Sequence, residues 1–159
     1  MEETNLNNSL KNKNPVHEKS SSSALSNIFE QAKAEGTCSV LLVEDHTMTQ
    51  MLVKRFLLNC NYTVDAVSDG EAALELTEKN QYDVVLMDLN LPGISGFETA
   101  KMIRSFQNKN TNVPILALTS SAEYEVREKM FKSGMNDYIG KPFNPNELYQ
   151  KVKSFIHLT

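Results

Sequence analysis

Val84-Val85-Leu86-Met87-Asp88-Leu89-Asn90-Leu91-Pro92-Gly93 is the stretch that decides the fold. It opens as an unbroken apolar run, the pattern of a strand buried on both faces. The run stops abruptly at an aspartate. Beyond Pro92-Gly93, Phe97, Ala100 and Ile103 mark a helix. The same unit recurs on either side. Val40-Leu41-Leu42-Val43 ends in Glu44-Asp45 and is followed by Met48, Met51, Leu52 and Phe56 on one side of a helix. Tyr62 to Ala66 precedes a helix that Asp69 can cap, with Ala72, Ala73 and Leu76 facing inward. Pro114-Ile115-Leu116-Ala117-Leu118 ends in Thr119 and leads to a helix from Glu123 to Lys132. Tyr138-Ile139 ends in Gly140-Lys141-Pro142 and leads to a helix striped by Leu148, Val152, Phe155 and Ile156. Five strands alternating with five helices predict an α/β fold, a doubly wound parallel sheet covered on both faces.

Outside this pattern the chain changes character. Residues 1–23 are rich in Asn, Lys, Glu and Ser and carry almost nothing apolar to offset the entropy of ordering, so they are expected to be a disordered polar tail. In residues 24–37, Leu25, Ile28, Phe29 and Ala32 recur at helical spacing before Gly36, which predicts a short amphipathic helix and a linker. That helix either packs loosely on its own domain, or is only marginally helical at this length, or serves docking or dimerisation. The domain proper is expected over 38–159. With 159 residues, 40% of them hydrophobic, the chain is long enough for one core. A net charge of −4 and the lack of a basic stripe argue against nucleic acid as a direct partner. No apolar run approaches the roughly 20 residues of a membrane span, and the polar N-terminus does not resemble a signal peptide, so a cytoplasmic location is expected, with no membrane partner. Cys38 and Cys60 are too few for a disulfide framework or a zinc site and are expected to be inert.

In open parallel sheets, ligands bind beyond the carboxyl ends of the strands. Here those ends carry Glu44, Asp45, Asp88, Thr119 and Lys141. Carboxylates about 4 Å apart repel by roughly 4 kcal/mol per pair at an effective dielectric near 20, so the cluster should take up a proton or a cation. Oxygen ligands in an open, watery setting suit Mg²⁺, which favours one or two carboxylates plus a phosphate. An ionised Asp88 beside such a metal is an apt nucleophile toward phosphorus. The charge of the transferred group would be met by Mg²⁺, by Lys141 as a point charge and by the Thr119 hydroxyl. His46 is expected to cap or start the first domain helix rather than to act as a phosphohistidine or ligand, because no second histidine accompanies it; His17 and His157 are given no role.

Val43-Glu44-Asp45-His46 with Gln50, Leu86 to Gly93 with Gly96, Leu118-Thr119, and Gly134-Met135-Asn136-Asp137-Tyr138-Ile139-Gly140-Lys141-Pro142 together resemble a response-regulator receiver domain, in a flavour similar to the receivers of hybrid sensor histidine kinases. The resemblance covers about residues 38–158. It implies a flavodoxin-like sheet of order 2-1-3-4-5 with five helices. It implies Asp88 as phosphoacceptor, Glu44 and Asp45 as the acidic metal pair, and Asn90 as the backbone carbonyl that completes a Mg²⁺ shell. Thr119 matches the switch hydroxyl, Lys141 the phosphate-binding lysine in a cis Lys141–Pro142 loop, and Tyr138 the aromatic switch. Ser95, Ser120 and His46 depart from the commoner residues, and none of these changes removes a chemical group from the site.

The function so implied is a switch rather than an enzyme. Asp88 takes a phosphoryl group from a phosphohistidine and loses it slowly by autodephosphorylation. The surface around the fourth domain helix, fifth strand and last helix changes for a partner. The implied partners are a sensor histidine kinase or histidine phosphotransfer protein and a downstream protein target. A phosphate-shuttling relay module is the alternative. An aspartyl-nucleophile phosphatase would want a second acid two residues after Asp88, where Asn90 stands. A phosphorylation-independent binding module would not need the full set Glu44, Asp45, Asp88, Thr119 and Lys141. No effector domain follows Thr159, so the chain is expected to act by docking, by relay, or as part of a longer protein.

Overall fold

The computed structural model describes residues 18–34, 37–121 and 123–156. Five strands run through it: Ser39–Val43 (β1), Thr63–Val67 (β2), Val84–Asp88 (β3), Ile115–Thr119 (β4) and Asp137–Gly140 (β5). Its α-helices are Glu18–Ala34 (α1), Thr47–Asn59 (α2), Gly70–Lys79 (α3), Gly96–Ser105 (α4), Tyr124–Lys132 (α5) and Pro145–Ile156 (α6), with a 3₁₀ turn at Lys109–Asn112. All strand pairings are parallel, in the order β2-β1-β3-β4-β5. β3 and β4 are buried at every position, which is why they read as unbroken apolar runs rather than as alternating ones.

The strand period of two divides the core. Val40, Leu42, Leu86, Leu116 and Leu118 pack toward α2 and α6, against Val53, Leu57, Tyr149 and Val152. Leu41, Val43, Val85, Met87 and Ala117 pack toward α3, α4 and α5, against Ala73, Ile103 and Met130. Each fully buried aliphatic side chain contributes about 1.5–3 kcal/mol relative to exposure. Cys60 is buried in the first cluster, and burial pushes its thiol up to about 12, in keeping with an inert cysteine.

Two expectations change. On α2 the buried line is Val53 and Leu57, whereas Met48, Met51 and Leu52 are 61%, 60% and 66% exposed. Apolar residues nearly encircle this helix, so periodicity alone could not choose the inward face. The N-terminal helix begins at Glu18, so residues 18–23, assigned to the polar tail, lie in its first turns. Burial of Ile28 and Ala32 in the first cluster anchors α1, and a nucleated helix extends through serines at small cost. Residues 1–17, Gly36, His17 and His157 lie outside the described residues. No described helix is long and apolar enough to cross a membrane.

Candidate functional site

Parallel pairing brings every carboxyl end to one edge. Val43 pairs with Met87, Asp88 with Leu118, and Thr119 with Gly140, so Glu44, Asp88, Thr119 and Lys141 emerge side by side. The winding direction reverses between β1 and β3, which opens the crevice where Glu44, Asp45 and Asp88 meet. Carboxylate oxygens of these three residues lie within 4.8 Å of one another. Glu44 and Asp88 are buried, while Asp45 is exposed.

Lys141 Nζ donates to Glu44 Oε2 at 2.5 Å and to Asp88 Oδ2 at 2.7 Å. Burial by itself would lower the lysine pKa. The hydrogen bonds to Asp88 and Glu44, with their charges, outweigh it and hold the ammonium above its ordinary range. The remaining carboxylate oxygens meet backbone donors: His46 N–H reaches Glu44 Oε1 at 3.1 Å, and Asn90 N–H reaches Asp88 Oδ1 at 2.9 Å. The cluster thus sets three carboxylates against one ammonium, which pairs with Glu44 and Asp88. The excess negative charge and the hard oxygen donors suit a small divalent cation, and exposed Asp45 leaves room for the waters that Mg²⁺ retains.

Thr119 lies at the same edge, but its hydroxyl is turned to the chain that follows. Oγ1 donates to Ser121 O at 2.9 Å and accepts from Ser121 N–H at 3.1 Å. Tyr138 is half-buried, with its ring 5.7 Å from Arg127 Cζ and 5.8 Å from Lys151 Nζ, and Lys151 also pairs with Asp137. The Lys141–Pro142 peptide is cis. Asn90 enters through its N–H, a contact that the sequence did not reveal.

Two supports were also hidden in the sequence. Gln50 Nε2 donates to Glu44 O at 2.9 Å and to Val67 O at 3.0 Å, tying α2 to the ends of β1 and β2. Gly96 lies so close beneath the end of β3 that an added Cβ would sit 2.1 Å from Asp88 O. Their presence in the motif was the only signal. Two of the three departures are accounted for locally. His46 caps α2, accepting from Thr49 N–H at 3.3 Å, and Ser95 forms a capping box with Glu98.

The family model for the response regulator receiver domain matches residues 40–153. The chain belongs to that family. This receiver is 36% identical over 123 residues to hybrid signal transduction histidine kinase I of Dictyostelium discoideum, a match covering 74% of this chain and 7% of that protein. It is 35% identical over 117 residues to the transcriptional regulatory protein ResD of Bacillus subtilis, covering 74% of this chain and 47% of that one. The receiver therefore spans less than half the length of either relative. Among solved structures, the receiver domain of sensor histidine kinase PA1611 from Pseudomonas aeruginosa, which has magnesium coordinated in its active site cleft, matches at TM-score 0.72 and 37% identity. That match covers 77% of this chain and 99% of that one. Chemotaxis protein CheY4 of Vibrio cholerae matches at TM-score 0.72 and 31% identity, over 76% of this chain and 99% of that one.

Proposed function

We propose that this receiver accepts a phosphoryl group on Asp88 from a phosphohistidine and uses it to switch a protein-binding surface. The observation that carries the reading is the position of the Asp88 carboxylate: Lys141 Nζ at 2.7 Å on one oxygen, the Asn90 N–H on the other, and two more acids beside it. A free Asp88 oxygen lone pair forms the new O–P bond as the N–P bond to the donor imidazole breaks, and the imidazole leaves with the electron pair. Glu44, Asp45, Asp88 and the Asn90 carbonyl are the groups that would hold Mg²⁺, which supplies charge to offset that on the phosphoryl oxygens. Lys141 neutralises a further oxygen and holds Asp88 in orientation before reaction. Slow attack of water on the aspartyl phosphate resets the switch, which makes the protein a signalling element rather than a turnover enzyme. The donor is a sensor histidine kinase or a histidine phosphotransfer protein, and the state is read by a downstream protein.

Transmission begins at Thr119. Its hydroxyl leaves Ser121 to donate to the phosphoryl group, the segment after β4 moves with it, and Tyr138 turns inward from between Arg127 and Lys151. The surface of α5, β5 and α6 changes as a result. Intact-mass measurement after incubation with Mg²⁺ and acetyl phosphate should show one added phosphoryl group on the wild type and none on Asp88→Asn. Asp45→Ala should stay folded but lose Mg²⁺ binding and labelling. Equal labelling of wild type and Asp88→Asn would remove Asp88 from its role.

A further inference from the structure

β2 ends beside β1, so α3 begins at the same edge of the sheet as the acidic cluster, and its first turn meets the loop that joins β3 to α4. That loop carries Asn90, whose N–H holds Asp88 Oδ1. The return of the loop into α4 is fixed from within. Gly96 N–H donates to Leu89 O at 3.1 Å, and Ser95 N–H donates to Glu98 Oε2 at 2.9 Å. Between Asn90 and Ser95, Leu91-Pro92-Gly93-Ile94 has the residues of a type II turn, with proline second and glycine third. Gly93 has the positive φ that such a turn requires, +73°. A turn of this kind often closes with a hydrogen bond from the fourth N–H to the first carbonyl, which here would join Ile94 to Leu91. Ile94 N–H donates instead to Oε1 of Glu71, in the first turn of α3, at 3.3 Å.

The backbone is shaped to receive that carboxylate. A Cβ on Gly93 would sit 2.6 Å and 3.0 Å from the two Glu71 oxygens, so glycine is needed there for space as well as for conformation. Gly70 brings α3 so near that a Cβ on it would meet Ile94 Cγ1 at 2.6 Å. The residues between Ile94 and Asn90 are stiff. Pro92 has a fixed φ and restricts Leu91 before it, and the Leu91 side chain packs against the second core cluster. Two soft points remain: Gly93, and the peptide that bears the Asn90 carbonyl. Glu71 holds the first, and a turn released to close on Leu91 would pull on the second.

We propose that Glu71 is a positioning residue for the metal: by holding the Leu91–Ile94 turn open from α3, it fixes the peptide whose carbonyl, that of Asn90, joins the acids around Mg²⁺. The inference rests on Glu44, Asp45, Asp88 and the Asn90 carbonyl being the metal-binding groups. Glu71 acts through Ile94 rather than on the ion, since its carboxylate lies outside the cluster of Glu44, Asp45 and Asp88.

The test is a MgCl₂ titration of the full chain followed by two-dimensional amide spectra, beside urea unfolding. Glu71 is exposed, so alanine there removes no core packing. Glu71→Ala should weaken Mg²⁺ binding by about three- to tenfold, the size of one lost hydrogen bond, and should move the Ile94 and Asn90 resonances before any metal is added. Glu71→Gln keeps an acceptor oxygen at the same reach and should bind within about twofold of the wild type. Glu75→Ala removes the next acid on α3 and should bind as the wild type does. Should Glu71→Ala fail to fold, Glu71→Ser, whose hydroxyl is too short to reach Ile94, carries the same comparison. Lowered stability with wild-type Mg²⁺ affinity would make Glu71 a structural strut and overturn the proposal. A glutamine variant as weak as the alanine variant would overturn it too, because charge and not the hydrogen bond would then set the affinity. A wild-type protein that fails to bind Mg²⁺, or an Asp45→Ala variant that binds it equally well, would instead overturn the metal site on which the proposal rests.

Discussion

Apolar side chains fill both faces of the sheet, but around α3 and α4 close backbone approach and polar ties are added to them, whereas α2 and α6 rest largely on apolar packing. On the first side, a Cβ on Gly70 would meet Thr99 Oγ1 at 2.2 Å, and one on Gly96 would meet Asp88 O. Asn110 donates to Thr77 O and Asn80 O and accepts from Tyr82 N–H, and Arg104 binds Gly134 O, Thr111 O and Asn136 Oδ1. On the second side, Leu57, Tyr149 and Val152 fill the interior while Met48, Met51 and Leu52 stand outside. Close-packed, fully hydrogen-bonded structure has few alternative arrangements and passes a displacement on, whereas an exposed apolar face can accept a partner without rearranging. The site lies where the two sides meet.

The contrast is broken most severely at Gly96. Gly96→Ala sets a methyl group against backbone that cannot swing aside, so it should lower unfolding free energy by about 1–3 kcal/mol, the usual range for overpacking. Labelling should slow as well, because the strain falls on Asp88. Urea denaturation with acetyl phosphate labelling measures both, and wild-type values would show that this side yields after all.

Thr119→Ala separates the two sides at a smaller cost. The variant should still label at Asp88, more slowly, while the beryllofluoride-induced amide shifts of α5 and β5 shrink. Full wild-type shifts in those elements would take the hydroxyl out of the relay.

Tyr82 sharpens the polar side further. Burial, then the hydrogen bond from its hydroxyl to Asp65 at 2.7 Å, raises the phenol from 10.0 to about 12. The folded state favours the neutral form, so this contribution is complete below pH 10 and is lost as pH rises toward 12. Tyr82→Phe should lower stability at neutral pH by about 1 kcal/mol and flatten the decline in that alkaline window. An identical alkaline limb in both proteins would contradict the assignment. The smallest effect belongs to the open side. Met51→Gln, at an exposed position on α2, should change stability by less than about 0.5 kcal/mol, and a larger loss would mean that this face is packed.

The element order and strand ends were legible because a doubly covered parallel strand is apolar throughout and stops at its polar end, as Val84 to Asp88 does. Glu44, Asp45, Asp88 and Lys141 could be named for the same reason, since parallel strands must place their carboxyl ends on one edge. The jobs of Gln50, the Asn90 N–H and Gly96 could not. A side-chain amide spanning two strand ends and a glycine beneath a carbonyl are relations between distant segments, and they leave no period in a chain.

The sequence by itself determined the α/β class, the strand-end chemistry and Asp88 as the candidate acceptor, because local apolar runs and their polar terminators are written residue by residue. Only the tertiary structure decided which face of α2 is buried, where α1 begins and what it packs against, and that Thr119 rests on Ser121 rather than at the acidic cluster. The physical reason is competition. Met48, Met51, Leu52, Val53 and Leu57 are all apolar enough to be buried, and the choice among them falls to the space left between β1, α6 and α1.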